Sequence, residues 1–159
     1  MPAGSRLAVA ACAGLLAACA PRAQPGAWQA PPDFAVVFLV RGEASSTNVL
    51  RQTSRYLMEA NRSLRAVSGA VATRRTYPSL RRRLTAPETE SIFDHVRRHQ
   101  LLAEPTSPGA EQRAADPGTE RVIYELSITA HGHTHSYATT PRESPPTIQL
   151  LKLLVQYAW

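Results

Sequence analysis

The sequence predicts an α+β domain: one small antiparallel sheet with two helices on one face, in the order β-β-β-α-β-β-α. Three features carry this reading. Phe34 to Val40 is a short, continuous apolar run rich in Val and Phe, the pattern of a buried strand. Arg121 to Thr129 alternates apolar and polar residues and is followed by a Gly-containing turn, the pattern of a half-buried strand opening a hairpin. Two segments, beginning at Thr85 and Ser144, carry helix-start signals ahead of apolar residues at helical spacing. The chain has 159 residues, 43% of them hydrophobic, enough for one packed domain.

The first eighteen residues read as a signal rather than as fold. Arg6 supplies a short positive region, and Leu7 to Ala18 supply an apolar stretch. That stretch is too short to span a bilayer, which takes about 20 residues. Leu16-Ala17-Ala18-Cys19 follows it directly and resembles the bacterial lipobox. The resemblance implies cleavage before Cys19, a diacylglycerol thioether on its sulfur and a further acyl chain on the new amino group. A rival site at Cys12 leaves only Leu7 to Ala11 as apolar region, below the usual minimum of about 7 residues. Residues 19–33 then form a Pro-rich tether with Pro21, Pro25, Pro31 and Pro32. At about 3.1 Å per residue it reaches roughly 40 Å when extended. Ala20, rather than Asp, follows the acylated cysteine. In double-membraned bacteria this resembles the pattern sent on to the outer membrane, which implies a lipid-anchored protein on its periplasmic face.

Residues 34–159 read as a single domain. After the first strand come Arg55–Glu59 and Ser63–Val67, joined by a turn in which Asn61 takes the backbone geometry that asparagine tolerates. Ser68 to Leu84 fits no clear period. Thr85-Ala86-Pro87-Glu88 is a capping-box pattern with proline in the first turn, opening a helix that ends near Gln100. Ala103 to Thr119 shows no period; it is acidic for a basic domain and long for a connector, which marks it as a candidate protein-contact loop. His131-Gly132 or Gly132-His133 makes a two-residue turn, with Thr134 to Thr140 as the returning strand. Ser144 caps the last helix and Pro145 opens it.

Cysteine usage narrows the chemistry. Cys12 leaves with the signal and Cys19 carries lipid, so nucleophilic cysteine chemistry and thiolate zinc sites are excluded. Neither a G-x-S-x-G elbow nor a phosphate-binding loop is present. The expectation is a non-enzyme with no cofactor. Two residue sets remain as candidate sites. A two-residue turn places His133 and His135 on the helix-covered face, where His95 and His99, one helical turn apart, could join them around a borderline metal ion. Val96 stands where a zincin has its catalytic Glu, however, and no carboxylate is evidently placed to orient the imidazoles. A metal-binding envelope lipoprotein is therefore the rival reading.

The second set is basic. The 18 Lys and Arg exceed the 12 Asp and Glu, for a net charge of +6. Arg74, Arg75, Arg81, Arg82 and Arg83 cluster within ten residues. Export makes nucleic acid an unexpected partner, whereas anionic lipid or glycan suits such a cluster. Finally, the amphipathic helix ending near "LL", the hairpin "YELSITAHGHTHSY" and the helix "PPTIQLLKLL", within roughly Leu84 to Gln156, resemble the small emfourin-type inhibitors of thermolysin-like metallopeptidases. The resemblance implies a binding module and an envelope protein as partner. It carries over no inhibitory residue.

Overall fold

A computed structural model describes residues 29–103 and 122–159. Cys12, Cys19, most of the tether and nearly all of the Ala103–Thr119 loop lie outside the described residues. Six strands form one antiparallel sheet in the order β4-β3-β2-β1-β5-β6. They are β1 (Ala35–Arg41), β2 (Ser54–Met58), β3 (Ser63–Ser68), β4 (Leu80–Arg83), β5 (Ile123–Ala130) and β6 (His133–Thr139). The helices are α1 (Ala86–Arg98) and α2 (Pro145–Ala158), both on one face. The α+β class holds, with one strand more than the sequence predicts. That strand is β4, inside the unassigned Ser68–Leu84 stretch.

The continuous apolar run of β1 follows from its position, between β2 and β5 near the sheet centre. Val36, Phe38 and Val40 point into the helix-covered core with Tyr56, Met58, Leu64, Leu126 and Ile128. Ile92, Phe93 and Val96 of α1 and Leu150, Leu151 and Leu154 of α2 close that core. Phe34 stacks edge-on against Phe93 at 5.0 Å, as Phe38 does against Tyr124 at 5.4 Å. On the opposite face Leu39 is 5% exposed and Ala72 4%, because the connection between β3 and β4 crosses back over the sheet. Arg55 fastens that crossing by donating to the carbonyls of Thr73 and Arg74.

The capping box of α1 forms as the sequence predicts: Thr85 Oγ1 accepts from the Glu88 N–H, and the Glu88 carboxylate accepts from the Thr85 N–H at 2.8 Å. At α2 the expected cap differs. The Ser144 hydroxyl bonds Thr147 Oγ1 at 2.8 Å instead of a backbone N–H. The β2–β3 turn also differs. Arg62 takes the left-handed backbone, with φ of 69°, while the Asn61 side chain accepts from the Ser63 N–H at 2.9 Å. Asparagine is used there for its acceptor oxygen rather than for its backbone tolerance.

His131 and Gly132 form the β5–β6 turn with φ of 54° and 75°, the geometry of a type I′ turn. Ala130 faces His133 across it, so the even-to-odd register holds along the hairpin. Asp33 clasps this turn, its two carboxylate oxygens accepting from the His131 N–H at 3.0 Å and the Gly132 N–H at 2.6 Å. The Gly132 bond is the main cause that holds the Asp33 carboxyl below its ordinary value. The start of β1 is thereby tied to the hairpin tip.

Candidate functional site

The four candidate histidine ligands lie on two elements. His95 stands in the last turn of α1 and His99 caps its C-terminus, with ring centroids 4.5 Å apart. His95 Nε2 lies 2.9 Å from the Pro146 carbonyl, which joins the C-terminal half of α1 to the first turn of α2. His133 and His135 follow the turn on β6, opposite Ala130 and Ile128, and His133 is exposed. Among the described residues no three His, Cys, Asp or Glu side chains converge as a metal site would require. The fold brings the α1 pair together and does not complete the set with the hairpin pair. The opening His131 serves the backbone turn, and its ring packs edge-on to Phe93 at 6.2 Å.

His95 has a structural role with a measurable consequence. Burial is the largest influence on it and lowers its pKa below the ordinary 6.5; His99 and Arg98 push the same way, against Pro146 and Asp94. For a base depressed on folding, stability is full above pH 6.5 and declines as pH falls through 6.5 toward the lowered value. His95→Gln keeps a donor for Pro146 and cannot titrate. Its melting temperature should therefore fall less than the parent's between pH 7 and 5. Parallel curves would show that His95 bears no such linkage.

The five clustered arginines are distributed by the fold rather than gathered. Arg74 donates to Glu125 through Nε at 2.6 Å and Nη2 at 2.8 Å, and Arg41 reaches the same carboxylate at 3.0 Å. Burial would raise the Glu125 pKa, but these two guanidiniums outweigh it and hold the carboxyl below its ordinary value. Arg75 lines a shallow groove with Leu39, Arg41, Ala72 and Thr73 on that same open face. Arg82, in register with Leu64, turns to the helix side and grips Glu88 with bonds of 2.7 and 2.8 Å. Arg81 donates to the Ala66 carbonyl at 3.1 Å and lies 3.9 Å over the Trp159 ring. Arg83 donates to the Asn61 carbonyl at 3.3 Å. The five arginines expected from sequence as one anionic-contact set therefore do not lie together on one surface. Alternating strand geometry sends neighbouring residues to opposite faces, and two of the five are neutralised by glutamates, Arg74 by Glu125 on β5 and Arg82 by Glu88 on α1.

What remains at one edge of the sheet is a different grouping: Arg81 and Arg83 on β4, Arg62 on the adjacent turn, and the exposed Trp159 and Leu80, 64% and 53% accessible. Arg62 was not legible as a member. Its position follows from pairing of β3 with β4, which places Ser63 opposite Arg83. The Leu84 N–H also donates to the Arg62 carbonyl at 2.8 Å. Gln29, the first described residue, shares a groove with Arg62, Ala60 and Glu90, so the chain enters the domain beside this edge. In comparisons with known proteins, no family model and no curated protein matches the chain.

Proposed function

We propose that this chain is a lipid-anchored cell-envelope protein that displays a small non-catalytic binding domain, a protein-interaction or peptidase-inhibitor-like module held on a tether. The observation that carries the reading is Leu16-Ala17-Ala18-Cys19 standing directly after an apolar stretch of signal-peptide length. The compact α+β domain downstream suits display rather than span: among the described residues no helix is long and apolar enough to cross a membrane. Asp33 also supports it, because the clasp on the hairpin turn fixes where a tether would leave the domain.

Three acyl chains at Cys19 give effectively permanent attachment, since one chain alone is marginal and two suffice. Labelled palmitate should enter the protein and fractionate with membranes. Cys19→Ala should abolish incorporation entirely. Label that survives Cys19→Ala and disappears with Cys12→Ala would move the anchor to the earlier cysteine, and no label on the parent would remove the anchor altogether.

A further inference from the structure

The edge formed by β4 and the β2–β3 turn differs in charge balance from the rest of the basic surface. Arg62, Arg81 and Arg83 are all exposed, and none of them is ion-paired among the described residues. The nearby carboxylates are largely committed elsewhere. Glu59 bonds Tyr77 and Arg65, and Glu88 bonds Arg82. Among the side-chain carboxylates of the described residues near this edge, Glu90, half-buried in the groove with Arg62, is left to offset three guanidiniums. Trp159 exposes a large apolar ring with the Arg81 guanidinium 3.9 Å from its centre, and Leu80 exposes another large apolar side chain on β4. Tryptophan and arginine together suit a membrane–water interface, where the ring enters the headgroup layer and the guanidinium meets phosphate.

We propose that this edge is a membrane-contact surface for an anionic bilayer, with Arg62, Arg81 and Arg83 meeting lipid phosphates and Trp159 and Leu80 entering the interfacial layer. The complementarity is of charge, and the position agrees with it, because the chain enters the domain in the groove that contains Arg62. The proposal rests on the lipid-anchor reading for its biological setting, since the anchor brings this edge close to a membrane. The tether would then act with the patch: one supplies attachment, the other sets the domain's orientation and turns the opposite end of the sheet outward.

Vesicle flotation of the full chain carrying Cys19→Ala tests the surface without its acyl chains. Residues 1–28 are common to every variant, so any contribution they make cancels. The chain should float with phosphatidylcholine vesicles containing phosphatidylglycerol, more weakly with phosphatidylcholine alone, and less as salt rises. Arg62→Gln, Arg81→Gln and Arg83→Gln combined should weaken binding about fivefold per arginine, on the order of a hundredfold in all. Arg51→Gln, Arg98→Gln and Arg142→Gln combined remove the same net charge elsewhere and should leave binding within tenfold of the parent. Trp159→Ala, which removes an exposed ring and its contact with the Arg81 guanidinium, should weaken binding even if the triple patch variant fails to fold.

Equal losses in the two triple variants would reduce the effect to net charge and overturn the proposal. So would an absence of flotation. Patch-dependent capture of polyglutamate without vesicle binding would overturn it in favour of an acidic polypeptide partner. Palmitate labelling of the parent separates this result from the anchor: missing label with intact flotation removes the anchor and leaves the surface, and label without flotation does the reverse.

Discussion

Phe38→Ala is expected to lower the unfolding free energy by about 3–5 kcal/mol. Phe38 lies on β1 between Tyr56 of β2 and Leu126 of β5, fully buried, with its ring edge-on to Tyr124. Truncation removes apolar area from the centre of the sheet and leaves a cavity that strands paired on both sides cannot collapse to fill. Domains of this size hold only about 5–15 kcal/mol, so the variant should unfold at far lower urea with an unchanged slope. Tyr77→Ala, at a residue 64% exposed, is the matched control and should cost much less. A loss at Phe38 under about 1 kcal/mol would mean that this residue is not in the core of the folded protein.

The second large effect is steric. A Cβ on Gly42 would fall 2.9 Å from the Arg51 carbonyl carbon and closer still to its oxygen. Backbone cannot swing away as a long side chain can, so the loop from Gly42 to Thr53 must open. That loop is tied at its base by the Thr53 hydroxyl donating to the Gly42 carbonyl at 2.6 Å and by the Glu43 N–H donating to the Arg51 carbonyl at 3.0 Å. Tyr124 holds its far part by donating to the Leu50 carbonyl at 2.8 Å. Gly42→Ala should cost about 3 kcal/mol, near the upper end for overpacking. Gly69→Ala is the informative comparison. It has φ of 85° and open space around it, so the substitution adds left-handed strain alone, about 1–2 kcal/mol. A smaller effect at Gly42 than at Gly69 would show that the loop yields easily.

The histidine and arginine sets illustrate why a site is harder to read than a fold. The spacing of His95 and His99 placed them correctly on one side of α1, because helical period is local. The even-to-odd register placed His133 and His135 on the correct sheet face, because a two-residue turn fixes pairing. Their convergence depended on how far along the sheet α1 lies, and no local pattern states that. Likewise Arg74 and Arg82 looked alike as neighbours in a basic run. Their partners Glu125 and Glu88 become visible only once β5 and α1 are packed.

By itself the sequence determined the elements whose signals are short-range: the buried β1, the alternating β5, the His131-Gly132 turn and the capping box at Thr85, each set by side-chain period, backbone sterics or a bond spanning three residues. The tertiary structure alone decided β4, the strand order and the grouping of Arg62 with Arg81, Arg83 and Trp159. Leu80–Arg83 is four residues with three arginines, and it has no apolar alternation to announce a strand. It is extended because β3 offers it an unpaired edge, and its charges suit that place by discouraging further strand addition. Free energy that comes from pairing and packing partners distant in sequence leaves no periodic trace in the segment it shapes.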